Sequence, residues 1–119
     1  FQEGPSYTDL ISRELFGSFT TASLAGGTNF SVGGARAAVP RFFNGIPTPV
    51  PDITQQVGVY LQSTQFQVDP TGFYVINFGN NDVSALQSDD PTPRLGLTKE
   101  QYIDRFATNI TGSISTLAS

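Results

Sequence analysis

Helical and strand signals alternate along this chain of 119 residues. That alternation predicts an α/β fold, with βαβ units whose parallel sheet is covered on both faces as part of a three-layer α/β/α sandwich. Three observations carry the prediction. The apolar run Phe73-Tyr74-Val75-Ile76-Asn77-Phe78 breaks into the polar Gly79-Asn80-Asn81-Asp82-Val83, and the shorter Asn29-Phe30-Ser31-Val32 breaks into Gly33-Gly34. Helical patterns precede, separate and follow these two runs. Two strands are too few for a sheet buried on both sides, which normally holds about 5 to 6. The sheet is therefore expected to be incomplete in this chain, which should form the middle of a larger α/β domain.

From Ser6 to Leu15 the apolar positions Tyr7, Leu10, Ile11 and Leu15 fall at helical spacing, with Gly17 as the stop. Ser23 to Gly27 is expected as loop, Asn29 to Val32 as a short strand and Gly33-Gly34 as its turn. Pro40, Pro47, Pro49 and Pro51, with Asn44 and Gly45, exclude regular structure from Val39 to Pro51 and predict a surface loop. A helix follows from about Asp52 to Gln62, with Ile53, Val57, Tyr60 and Leu61 on one face and Pro51 at its start. Asp69-Pro70-Thr71-Gly72 turns the chain into the strand Phe73 to Phe78, which ends in a loop holding Asn81. Asp89-Asp90-Pro91-Thr92-Pro93 is a second irregular segment. The last helix carries the strongest signals: Thr98 and Gln101 form a capping box, and Tyr102, Ile103, Phe106, Ile110, Ile114 and Leu117 form one apolar stripe. Gly112 interrupts it, at a cost of about 1 kcal/mol relative to Ala. No internal repeat, low-complexity tract or linker divides the chain.

Composition bounds the function. The chain is 38% hydrophobic with 12 Gly, 8 Pro and ten Phe, near ordinary globular usage and far from the disordered class. Its net charge is −4, and the basic residues Arg13, Arg36, Arg41, Arg94, Lys99 and Arg105 are scattered, which argues against nucleic acid or an anionic membrane as partner. No apolar run approaches the roughly 20 residues needed to span a bilayer. Phe1-Gln2-Glu3-Gly4 lacks the basic start and apolar middle of a signal peptide. With no cysteine there are no disulfides or thiolate metal sites; with no histidine the commonest general base and metal ligand are gone. Neither metal nor cofactor is expected.

A polar Gly-containing loop at the carboxyl end of a buried strand is where open α/β sheets present reactive groups. Asn81 is therefore the leading functional candidate. Here the sequence resembles the SGNH or GDSL hydrolases, a family of serine esterases and lipases. Asn29-Phe30-Ser31-Val32-Gly33-Gly34-Ala35-Arg36 looks like the glycine block of its secreted and autotransporter-type members, and Gly79-Asn80-Asn81-Asp82 looks like its Gly-x-Asn-Asp block. Gly4-Pro5-Ser6-Tyr7-Thr8-Asp9-Leu10 is similar to the segment that enters the first helix after the nucleophile. The family's Gly-Asp-Ser nucleophile block and Asp-x-x-His block are absent. The resemblance implies a flavodoxin-like SGNH hydrolase fold, of which residues 1–119 are a central segment lacking the nucleophile and Asp-His segments. It implies a carboxylic ester or lipid substrate, a secreted or cell-surface location, and a companion polypeptide from the same precursor that carries the Ser and Asp-His motifs. The chain alone is expected to be inactive.

By the family pattern Gly34 and Asn81 form the oxyanion hole together with the nucleophile's own N–H. When serine attacks an ester carbonyl, negative charge develops on oxygen, and preorganised N–H donors lower the barrier, a single donor by ~10²- to 10³-fold in rate. Gly34 offers a backbone N–H at a turn that admits close approach, and Asn81 a neutral side-chain amide whose donation does not depend on pH. Asp82 is expected to hold its loop through hydrogen bonds to nearby backbone. Phe42 and Phe43, adjacent aromatics in a proline-rich loop, are the candidate acyl-pocket residues; Phe66, Phe73, Phe78 and Phe106 are expected mostly as core or loop-packing residues.

Plainer readings compete at each position. Asn and Gly favour turns in any protein, and paired glycines are common at strand ends. Asp89-Asp90 lacks the further carboxylates of a calcium loop and is expected as a solvated turn. Asn29-Phe30-Ser31 and Asn109-Ile110-Thr111 match the glycosylation pattern, but one lies in the glycine block and the other within a helix, so neither is expected to be modified. The rival function is a non-catalytic α/β module that binds a protein or glycan. A phosphate cradle is weaker, because Gly26-Gly27 and Gly33-Gly34 do not fit Gly-x-Gly-x-x-Gly.

Overall fold

Four helices organise the chain in a computed structural model that describes residues 7–43 and 48–118. They are α1 (Tyr7–Phe16), α2 (Ile53–Ser63), α3 (Asn80–Gln87) and α4 (Lys99–Ala118), with short 3₁₀ turns at Ser23–Ala25 and Thr92–Arg94. The expected features at residues 1–6, and Asn44, Gly45 and Pro47 of the proline-rich loop, lie outside the described residues. The chain divides into two compact units, Phe1–Gly33 and Gly34–Ser119. No helix among the described residues is long and apolar enough to cross a membrane.

In the first unit, α1 ends where its sequence says it should. Gly17 takes φ +81° and its N–H closes onto the Arg13 carbonyl at 2.8 Å, a left-handed stop that glycine adopts without the Cβ penalty. The chain then folds back. The Asp9 carboxylate accepts from the backbone N–H of Thr20 at 3.2 Å and from its hydroxyl. Ala22 and Asn29 form an isolated parallel bridge, with Ser23 N–H to Asn29 O at 2.8 Å. That bridge is all that forms of the expected strand Asn29 to Val32.

The second unit holds the other helices. Asp52 caps α2 reciprocally: its carboxylate accepts from Gln55 N–H at 3.0 Å while Gln55 Oε1 accepts from Asp52 N–H at 2.9 Å. Thr98 and Gln101 make the same box at α4, at 3.1 and 2.9 Å. Leu86, Leu97 and Phe106 pack against a buried cluster of Ala38, Val39, Ala85 and Tyr102. Val39 is fully buried, so the expected surface loop begins inside the core rather than on the surface. Beyond it an isolated antiparallel bridge joins Arg41 to Val50.

The α/β sandwich is not found: among the described residues there is no β-sheet, only these two isolated bridges. The run Phe73 to Phe78 does keep the period of two. Tyr74, Ile76 and Phe78 are half-buried while Phe73, Val75 and Asn77 are exposed, yet no backbone hydrogen bond joins the run to any other described segment. Its hydrogen bonds to described residues run through the Tyr74 side chain, which meets Tyr60 of α2 edge-on with hydroxyls 2.8 Å apart and bonds the Asp69 backbone at 3.2 Å. Apolar, β-branched and aromatic residues extend the backbone; pairing is decided by tertiary context, which propensity does not encode. A second correction follows directly after it. The expected Asn81 loop is instead the first turn of α3, begun by Gly79 at φ +137° and held because Asp82 and Ala85, three residues apart on one face, are both buried.

Candidate functional site

The segment Ala35–Val39 is buried without belonging to any helix or sheet. Its backbone polar groups must therefore find partners elsewhere. Side chains supply them. The Asp82 carboxylate accepts from Ala37 N–H at 3.1 and 3.0 Å and from Ala38 N–H at 3.1 Å. On the acceptor side, Asn109 Nδ2 of α4 donates to the carbonyls of Ala37 at 2.8 Å and Ala38 at 3.1 Å. The Tyr102 hydroxyl completes the Asp82 shell at 2.6 Å. Burial and the adjacent carboxylate push the Tyr102 phenol well above its ordinary pKa, so it stays protonated as a donor. Asp82 is thus structural, as expected, but its backbone partners lie more than forty residues away rather than in its own loop.

This latch sets the candidate site. Gly34, at φ +81°, opens the same segment, and Asn81 precedes Asp82 on α3. A single nitrogen, Arg41 Nη1, donates to Gly34 O at 3.3 Å and to Asn81 Oδ1 at 3.1 Å. The structure therefore brings Gly34 and Asn81 together. Arg36 holds the same helical turn from its main chain, Nε donating to Asn81 O at 2.9 Å and Nη1 to Pro93 O at 3.1 Å. Burial and the nearby Arg41 charge lower the Arg36 pKa, an effect opposed by Tyr102 and Asp82; a guanidinium remains charged nonetheless. The Arg41 guanidinium lies over the Phe43 ring, 4.6 Å from its centroid.

The chemistry of the clamp follows from donor counting. A guanidinium has only N–H groups, so the Asn81 atom it meets must be the oxygen, and the NH₂ end is left to face elsewhere. Asn81 Nδ2 and the Gly34 N–H make no hydrogen bond with any described residue. Among the described residues these two donors are thus left without partners, while the acceptor ends of the same two residues meet one cation. The first turn of α3 adds the positive end of a helix dipole.

Phe43 joins this cluster, its ring 3.8 Å from where a Cβ on Gly34 would stand, and is 41% exposed. Phe42 is 61% exposed and belongs to no such cluster. The sequence alone did not mark Arg41, Arg36, Tyr102 or Asn109. Arg36 was within the glycine block; Arg41 gave no signal, being one of six scattered basic residues. Asn109 was hidden by the apolar stripe of α4. The face that packs inward runs through Tyr102, Phe106, Asn109 and Ser113, while Ile103 and Ile114 of the expected stripe are 53% and 51% exposed. Compared with protein-family models, curated proteins and solved structures, the chain matches none.

Proposed function

We propose that this chain supplies the oxyanion-binding half of a serine-type carboxylic ester hydrolase, an esterase or lipase at the cell surface or secreted. In this proposal a companion polypeptide from the same precursor carries the nucleophilic Ser and the Asp-His pair. The observation that carries it is the Arg41 bridge between Gly34 O and Asn81 Oδ1, which draws the two residues together and leaves the Asn81 NH₂ and the Gly34 N–H without partners among the described residues. Such donors stabilise developing negative charge because their orientation is fixed before the reaction starts. The lack of histidine is consistent with division of the machinery, since a serine here would have no imidazole to activate it. In this reading Phe43, which packs near Gly34 and under Arg41, contacts the acyl group, with Phe42 beside it in sequence. The backbone of Phe73–Phe78, unpaired among the described residues, offers a companion an edge to bind.

The test uses p-nitrophenyl acetate. The 119-residue chain alone is expected to be inert, and the assembled enzyme, expressed from the complete gene, to turn the ester over. Asn81→Ala in that enzyme should lower kcat by ~10²- to 10³-fold with its fold retained. Unchanged turnover would reduce Asn81 to a helix-start residue and end the proposal.

A further inference from the structure

Asn81 is held at both of its oxygens by arginine, and only one of those contacts touches the group that would do chemistry. We propose that Arg41 is a positioning residue: by holding Asn81 Oδ1 it fixes which way the carboxamide is turned, with the NH₂ end directed away from the guanidinium, and strengthens that end as a donor. This rests on the oxyanion-hole assignment above and adds a residue to which no motif points.

Arg41 is itself placed from three directions. Its backbone pairs with Val50 in both senses, at 3.0 and 2.7 Å; its guanidinium lies over Phe43; and its Nη1 hydrogen atoms are divided between Gly34 O and Asn81 Oδ1. No carboxylate pairs with it among the described residues, so its charge is directed at two neutral oxygens. A cation on an amide oxygen draws electron density from the nitrogen, and successive hydrogen bonds polarise one another, making the free N–H a better donor. Asn has a terminal torsion that is broad and two-fold, so without a partner on Oδ1 its NH₂ and oxygen ends could exchange places. An exchanged amide would aim an acceptor at the oxyanion. Arg36 cannot substitute, because its contact is with the main-chain carbonyl of Asn81 and leaves the side-chain torsion unrestrained.

A double-mutant cycle tests this in the assembled enzyme with p-nitrophenyl acetate as substrate. Arg41→Ala should lower kcat by about 10- to 100-fold with KM little changed, because only preorganisation is lost. Arg41→Gln, which keeps an N–H donor without the charge, should fall between Ala and Arg. The Arg41→Ala/Asn81→Ala double variant should be no slower than Asn81→Ala alone, since Arg41 acts through that amide. In parallel, ¹⁵N spectra of the assembled enzyme, labelled in the 119-residue chain, should show the Asn81 side-chain NH₂ pair displaced by Arg41→Ala while the Ala37 and Ala38 amides, held by Asp82, stay in place. If Arg41→Ala fails to fold, the same cycle is run with Arg41→Gln. Wild-type kcat in the Arg41 variants beside a crippled Asn81→Ala, or multiplicative losses in the double variant, would overturn the positioning role and leave the oxyanion hole standing. Wild-type kcat in Asn81→Ala would remove the oxyanion hole itself.

Discussion

Removing the Asp82 carboxylate should cost more stability than any other single side-chain truncation at this site. The residue is 1% exposed and serves three donors: the backbone N–H groups of Ala37 and Ala38 and the phenol of Tyr102, itself fully buried. Asp82→Ala leaves all three without an acceptor. Each unsatisfied buried donor costs about 1–3 kcal/mol, so the sum is of order 3 kcal/mol at the least. Hydrophobic compensation is small, because an alanine methyl cannot fill the vacated space. Against a domain stability of about 5–15 kcal/mol, the variant should lie near the edge of folding. Asp82→Asn is the graded control. It retains one acceptor oxygen but introduces an NH₂ facing donors, and should lose about 1–3 kcal/mol. Urea unfolding followed by far-UV circular dichroism measures both. A loss under about 1 kcal/mol for Asp82→Ala would show that the Ala37–Ala38 backbone finds other partners and that the latch is not what holds the segment to α3.

Tyr102 gives a pH signature. Its folded pKa is raised by burial and by Asp82, so above the ordinary phenol value of 10.0 the unfolded chain loses this proton while the folded chain keeps it. Stability should therefore fall as pH climbs past 10.0, by about 1.4 kcal/mol per pH unit for the one proton. The difference between wild type and Tyr102→Phe isolates that contribution from the other tyrosines, and a difference independent of pH from 8 to 11 would refute it. At Gly34 an added Cβ would meet Arg41 Nη1 at 3.5 Å and Phe43 Cζ at 3.8 Å, both ordinary contacts, so the cost of Gly34→Ala is the left-handed φ alone, about 1–2 kcal/mol. A neutral result in urea unfolding would show that the turn does not need glycine.

What was legible in the sequence was what local chemistry decides. The ends of α1 and α4 follow from Gly17 and from the Thr98–Gln101 box, whose partners lie within a few residues of one another. The Asp52–Gln55 box at α2 is equally local, its partners three residues apart and directly after Pro51. The sheet failed because strand formation needs a second strand, and an apolar alternation such as Phe73–Phe78 specifies extension without naming a partner. Helix α3 was missed for the opposite reason: its eight residues open with Asn-Asn-Asp, poor helix formers in isolation, and they are held by tertiary burial of Asp82 and Ala85. On α4, periodicity equated apolar with buried, whereas Asn109 turns inward because two buried carbonyls need its donors.

The site is the meeting of one eight-residue segment, Gly34 to Arg41, with one helical turn. Arg36, Ala37, Ala38 and Arg41 all bond to Asn81 or Asp82, across 40 to 45 positions of sequence. Adjacent residues on a helix point about 100° apart, given 3.6 residues per turn. Asp82 can therefore face the core and fasten the backbone of the segment while Asn81, one step earlier, stands at its half-buried margin under Arg41. The anchoring function and the presented amide are thus inseparable in sequence yet separate in direction. The same register that buries Asp82 fixes where Asn81 emerges, and Arg41 then fixes how its amide is turned. Neither the glycine turn nor the Gly-Asn-Asn-Asp run has this property alone, since each supplies the hydrogen-bond partners that the other lacks.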